Sequence, residues 1–166
     1  MKRVVFLFLI LGVCLVNAQE GMQAPEPLTD AFLKSYLGKW QGATKSEMGE
    51  SEDVMDCWMA LNDQFVIINY KSTSPAMNYE GMGAVTIDPQ SGQVLGYWID
   101  SMRDMSKGVG KIEGNKLIME WTSKMGTGTR TEELVDNKLH VTSKWKMPDG
   151  SVMESTSDFQ RVPTSE

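Results

Sequence analysis

Gly38-Lys39-Trp40-Gln41-Gly42 divides this sequence into two regimes. Ahead of it, Thr29 caps a short helical segment, Asp30 to Leu37, whose Phe32, Leu33, Tyr36 and Leu37 share roughly one face. Behind it, only strand-and-turn pattern follows. A Gly-x-Trp-x-Gly on the first strand of an antiparallel barrel seats one large aromatic at the barrel's closed end. The flanking glycines let neighbouring backbone come close to that indole.

Working outward, turn chemistry recurs roughly every 8–12 residues, a spacing that suggests an antiparallel meander. Met48-Gly49-Glu50, Asn62-Asp63, Ser74-Pro75, Asp88-Pro89-Gln90-Ser91-Gly92, Glu113-Gly114-Asn115, Asp136-Asn137 and Pro148-Asp149-Gly150 are the punctuation. Between them fall strands at 38–48, 51–60, 64–72, 78–87, 93–100, 105–112, 115–124, 128–135, 138–147 and 150–161. The expected fold is all-β, an up-and-down barrel of about ten strands with a short N-terminal helix. It occupies residues 28–162 as one domain, between a flexible leader at 19–27 and a tail at 163–166.

Period-two alternation predicts the inward faces. Leu117, Met119, Trp121 and Ser123 oppose Ile118, Glu120 and Thr122. Leu139, Val141, Ser143, Trp145 and Met147 oppose His140, Thr142, Lys144 and Lys146. Asp56 tips the second strand so that Met55, Cys57 and Met59 face inward. Met153, Ser155, Ser157 and Phe159 oppose Val152, Glu154, Thr156 and Asp158. The strand from Val94 to Asp100 reads either way, with Tyr97 and Trp98 on opposite faces.

The first 18 residues stand apart. Lys2-Arg3 precedes an apolar run, Val4 to Val16, and Ala18 offers the small residue that a signal peptidase needs. The run is short for a bilayer span, so a cleaved export signal is expected, with a periplasmic or extracellular mature chain. Acylation at Cys14 is the alternative, poorly served by Val13. The formal net charge is −6 and becomes more negative once Lys2 and Arg3 are removed. Such a chain is a poor partner for nucleic acid or an anionic membrane surface. No later segment reads as a transmembrane helix. Cys57 would be the one remaining cysteine, so stability must come from packing, with a buried thiol expected.

These residues resemble the calycin superfamily of lipocalins, fatty-acid-binding proteins and nitrobindin-like barrels. The nearest likeness is to the bacterial family called domain of unknown function 1579. The resemblance rests on Leu37 to Gly42, Gly81-Met82-Gly83 leading to Ile87-Asp88-Pro89, Gly96 to Ser101, Gly108-x-Gly110 and Asp158-Phe159-Gln160-Arg161. It implies a barrel with a cavity, closed structurally by Gly38, Trp40, Gly42 and an Arg161 packed over Trp40. It names no ligand.

Candidate chemistry is thin. The nitrobindin likeness raises haem, but His140 shares an outward face with Lys144 and Lys146, so no haem is expected. Met55, Met59 and Cys57, with Met102 and Met105 elsewhere, could hold Cu(I). Methionine is also an adaptable cavity filler, and lumen lining is the favoured reading of its abundance. Asp100 and Asp104 flank Arg103 as rim solvation or a local ion pair. No triad order, nucleophile elbow, phosphate loop or zinc spacing occurs, so no enzyme and no cofactor are expected. The glycines of Gly108-Val109-Gly110 are expected to permit a bend or close packing.

The reading is an exported, monomeric barrel that binds a small apolar or amphipathic molecule. The expected lumen residues are Met55, Cys57, Met59, Trp98, Met119, Trp121, Val141, Trp145 and Met153. Two alternatives stand beside it. One is a ligand-free envelope module acting through Trp58 and Tyr97; the other is methionine-based Cu(I) binding.

Overall fold

The computed structural model describes residues 25–163. The expected export segment with Cys14, residues 19–24 of the leader and residues 164–166 of the tail lie outside the described residues.

One short helix, α1 (Ala31–Ser35), precedes ten strands. They are β1 (Gly38–Ser46), β2 (Gly49–Ala60), β3 (Phe65–Thr73), β4 (Asn78–Ile87) and β5 (Val94–Asp100), followed by β6 (Met105–Glu113), β7 (Lys116–Ser123), β8 (Gly126–Val135), β9 (Lys138–Lys146) and β10 (Val152–Arg161). Each strand pairs antiparallel with the next, and β1 also pairs with β10, so the sheet closes on itself. Trp40 stands opposite Met55 on one side and Arg161 on the other. Closure leaves no strand edge open, which is how an all-antiparallel sheet of this size avoids edge pairing. The tight reversals use the residues that tolerate left-handed backbone: Asn62, Asp63, Asp136 and Asn137 all have positive φ.

The helix differs from expectation at both ends. Asp30, not Thr29, is the cap: its Oδ1 accepts the Leu33 N–H at 3.0 Å. A carboxylate three residues ahead of that N–H is the stronger acceptor, and it starts the helix one residue later. The helix ends at Ser35 with Tyr36 as its C-cap, short of Leu37, and the chain turns at Gly38, φ +110°, to enter β1.

Burial runs in a gradient along the barrel. At one end α1 acts as a plug. Phe32, Leu33 and Tyr36 pack with Trp40, Val66, Leu139 and Phe159, all nearly inaccessible. Each such side chain contributes about 1.5–3 kcal/mol on burial. The other end is the mouth, formed by the β1–β2, β3–β4, β5–β6, β7–β8 and β9–β10 hairpins. Inward residues nearer the mouth, among them Tyr70, Trp98, Trp121, Ser143 and Trp145, keep part of their surface accessible.

Methionine departs from its expected place. Met48, Met77, Met82, Met102, Met105 and Met125 are exposed. Met82 and Met105 alternate with inward Gly81, Gly83 and Ser106, so strand parity turns them out. Met48, Met77, Met102 and Met125 sit at mouth hairpins.

Candidate functional site

Three indoles form the wall of the mouth half. Trp98 lies against Gly81 and Gly83: a Cβ built there would come within 2.3 Å and 2.5 Å of its ring. Trp121 lies over Gly96 and Gly108 in the same way, each hypothetical Cβ 2.8 Å from the ring, and Trp145 covers Gly128 at 2.5 Å. Register explains the arrangement, since Trp98 pairs with Gly83, Trp121 with Gly108 and Gly128, and Trp145 with Gly128. Missing side chains on the neighbouring strands let each ring lie flat on the sheet, leaving its outer face toward the lumen.

Trp98 is pinned further. Its Nε1 donates to the Tyr79 hydroxyl at 2.7 Å, and that hydroxyl donates to Asp100 Oδ2 at 3.1 Å. Tyr70 stands edge-on to both Tyr79 and Trp98, with ring centroids 6.0 and 6.2 Å apart. Burial foremost, with Asp53 adding, pushes the Tyr70 phenol up to about 12. Burial also raises Tyr79, although the Trp98 hydrogen bond opposes the shift.

A polar cluster sits below the indoles. Arg130 and Glu132 project inward from β8, and Arg130 Nε donates to Glu132 Oε1 at 2.5 Å. Burial works against the Arg130 charge, but Glu132 and then Tyr36 more than offset it, so the guanidinium is held charged. Tyr36, reaching in from the plug, has its phenol raised first by burial and then by Glu132. The Arg130 side chain keeps 30% of its surface accessible against 7% for Glu132. Its two terminal nitrogens have no hydrogen-bond partner among the described residues. On another part of the wall, Asp53 accepts from Thr44, which also contacts Ser157 at 2.6 Å, and from Ser51 at 2.9 Å. Two buried polar atoms, Asp104 Oδ1 and Trp121 Nε1, have no partner among the described residues.

The expected lumen residues separate into two groups. Met55, Cys57, Met119 and Val141 are at most 3% exposed and belong to the packed floor, while Met59 packs partly buried toward the plug. Trp98, Trp121, Trp145 and Met153 keep accessible surface on the inward face. Trp98 therefore faces in and Tyr97 out, which resolves the ambiguous strand. Burial first, then Glu132 and Asp56, raises the Cys57 thiol far above its ordinary range and leaves it a poor nucleophile. His140 faces outward, its Nδ1 2.7 Å from Asp158 Oδ1. Of the two expectations for Asp100, Arg103 and Asp104, rim solvation or a local ion pair, the ion pair does not form among the described residues. Asp100 is bonded to Tyr79 and to the backbone of Met102 and Asp104, and Asp104 turns inward at 7% exposure. No group of three or more His, Cys, Asp and Glu side chains arranged for a metal occurs among the described residues. A separate depression of about 380 Å³ on the outer side of β8–β10 is lined by Thr129, Thr131, Thr142 and the exposed Lys144–Glu154 pair, and it offers no enclosure.

At the plugged end, the Arg161 guanidinium carbon lies 4.3 Å from the centre of the Trp40 ring. Arg161 also donates to the carbonyls of Leu37 and Ser35. Trp40 Nε1 donates to the Tyr36 carbonyl at 2.9 Å. Gly38 leaves room for this: a Cβ there would be 2.8 Å from Arg161 Nη1.

A ten-stranded meander closed on itself, with a helical plug and an arginine over the first-strand tryptophan, defines a calycin-like barrel. The chain belongs to the family described as "Protein of unknown function (DUF1579)", whose model matches residues 29–161. Two solved structures share the fold. The S-type phycobiliprotein lyase CPES from Guillardia theta is 9% identical, with 81% of this chain and 92% of that chain covered at a TM-score of 0.59. A variant of the fluorescent protein UnaG is 14% identical, with 80% and 99% covered at a TM-score of 0.52. No curated protein matches the sequence. No helix among the described residues is long and apolar enough to cross a membrane.

Proposed function

We propose that the mouth half of the barrel binds a small amphipathic molecule, without catalysis and without a resident cofactor, in an exported and monomeric protein. The observation that carries this reading is the set of indoles laid flat over glycines. Laid flat, Trp98, Trp121 and Trp145 keep part of their surface accessible on the inward side and offer polarizable faces to a planar or flexible apolar body. Arg130 supplies the polar end, because its terminal nitrogens have no partner among the described residues while its Nε is held by Glu132. Arginine in this setting suits a carboxylate or carbonyl oxygen. Export rests on the sequence of residues 1–18.

The test is native mass spectrometry of the protein purified from its own host, with an absorption spectrum and metal analysis on the same sample. A discrete organic added mass is expected. Trp121→Ala should lose that mass while the thermal midpoint falls only modestly. Equal loss of ligand and fold would count against a lumen role for Trp121, and bound metal in place of an organic mass would sink the reading.

A further inference from the structure

Net charge predicts a chain that avoids anionic surfaces, yet one face has the opposite character. Met82, Ile99 and Met105 stand opposite one another across β4, β5 and β6 on the outer side. With Tyr97 below and Met102 above, they form an apolar patch that begins at the mouth; Met105 is 75% exposed and Met102 58%. Patches of this kind on an otherwise polar surface mark contact sites.

The exposed charges at the mouth end of this patch are basic, with Glu120 one row further down the outer wall beside Val109. Arg103, Lys107 and Lys124 are exposed, and none has a carboxylate partner among the described residues. Lys124 Nζ is bonded to the Arg103 carbonyl at 2.6 Å, which holds the β5–β6 and β7–β8 hairpins together. The two acids of the same hairpin are withdrawn: Asp104 is buried, and Asp100 is committed to Tyr79 and to backbone N–H groups. Glu80, beside Met82, is paired with Lys71 at 3.0 Å. By contrast, the closed-end turns carry Asp63, Asp88 and Asp136 and no basic residue. One side of the mouth is therefore both basic and apolar, whereas Lys34, Lys39, Lys116 and Lys138 stand among the acids of the plugged end.

We propose that this face seats on an anionic lipid surface. Methionines on and beside a mouth hairpin, an aromatic belt residue at Tyr97 and three cations without a carboxylate partner among the described residues are the elements of an interfacial membrane contact. The plugged end then points away from the bilayer. The patch lies on the outer wall of three neighbouring strands and offers no groove, which suits a soft planar surface better than a peptide. This contact stands whether or not the lumen takes a ligand.

The experiment is amide hydrogen exchange of the full chain with vesicles of phosphatidylglycerol and phosphatidylcholine, and with phosphatidylcholine alone. Slowed exchange is expected over residues 97–105 and 123–126, only on the anionic vesicles and diminishing with added salt. Arg103→Glu combined with Lys107→Glu, and separately Ile99→Ser combined with Met105→Ser, should each weaken partitioning by about tenfold or more. All four residues are exposed, so the barrel should persist. Equal protection on both vesicle types, protection confined to the closed-end turns, or double variants that partition like the parent would overturn the proposal. So would protection of the patch that grows with protein concentration and needs no vesicles, which would assign the face to a second copy of this chain.

Discussion

Gly81 shows how much a single residue sets in this barrel. Its absent side chain is the space in which Trp98 lies, and the indole in turn positions Tyr79 and Asp100. Gly81→Ala must lift that ring into the lumen, at a cost of about 1–3 kcal/mol from overpacking. A lower urea midpoint with unchanged m-value is the expected outcome, and combining it with Trp98→Phe should recover part of the loss. Additive losses in that pair would show that the two positions are not coupled. Gly81-Met82-Gly83 is plain in the sequence, but the indole above it is not. The β5 run Val94 to Asp100 offers two aromatics on two faces, and only pairing with β4 chooses between them. Arg130 and Glu132 escaped the sequence reading for a related reason. Glycines and threonines give β8 little apolar alternation, and the one usable signal was that both share a face with Leu134, which pairs with Leu139.

At the scale of elements, α1 and the end of β10 form one unit. Arg161 joins the helix carbonyls, the Trp40 ring and the closing strand pair in a single contact. Arg161→Met removes the cation from the indole and leaves the Ser35 and Leu37 carbonyls without that donor, a loss of about 2–4 kcal/mol. Arg161→Lys should recover only part of it, because an ammonium cannot keep the planar fork over the ring. Thermal unfolding of both variants checks the order; a lysine variant as stable as the parent would mean that charge alone matters there. Elements were largely legible in advance. All ten strands fall where turn formers and alternation place them, since a meander uses local signals only. The helix starts one residue later than expected because Thr29 and Asp30 are both good caps, and the carboxylate of Asp30 takes the Leu33 N–H.

For the molecule as a whole, the buried phenols make stability sensitive to alkali. Tyr36, Tyr70 and Tyr79 have raised folded-state values, Tyr70 at about 12, against about 10 in an unfolded chain. The folded barrel holds those protons after the unfolded chain would release them. Their contribution is therefore fully present below pH ~10 and is lost as pH rises toward and through 12. The tyrosinate absorbance of these three phenols, read in a Tyr97→Phe background, should rise in one cooperative step together with loss of near-ultraviolet dichroism; their ionisation completed well before unfolding would contradict the burial described. The burial gradient also locates what sequence could not supply. Alternation tells inward from outward, but how far a lumen is filled depends on ring orientation, which is set across strands.

The pairing of β1 with β10 has a further consequence in time. Residues 40 and 161 meet only after almost the whole chain has been laid down, so this contact carries the largest loop-closure cost in the fold. Until β10 arrives, the growing sheet is a curled ribbon with two bare margins, β1 and β9, each able to take a strand from a neighbouring molecule. The last ten-residue strand thus does for the nascent chain what a zip does for a seam. It converts a sheet that could add strands indefinitely into an object of fixed size.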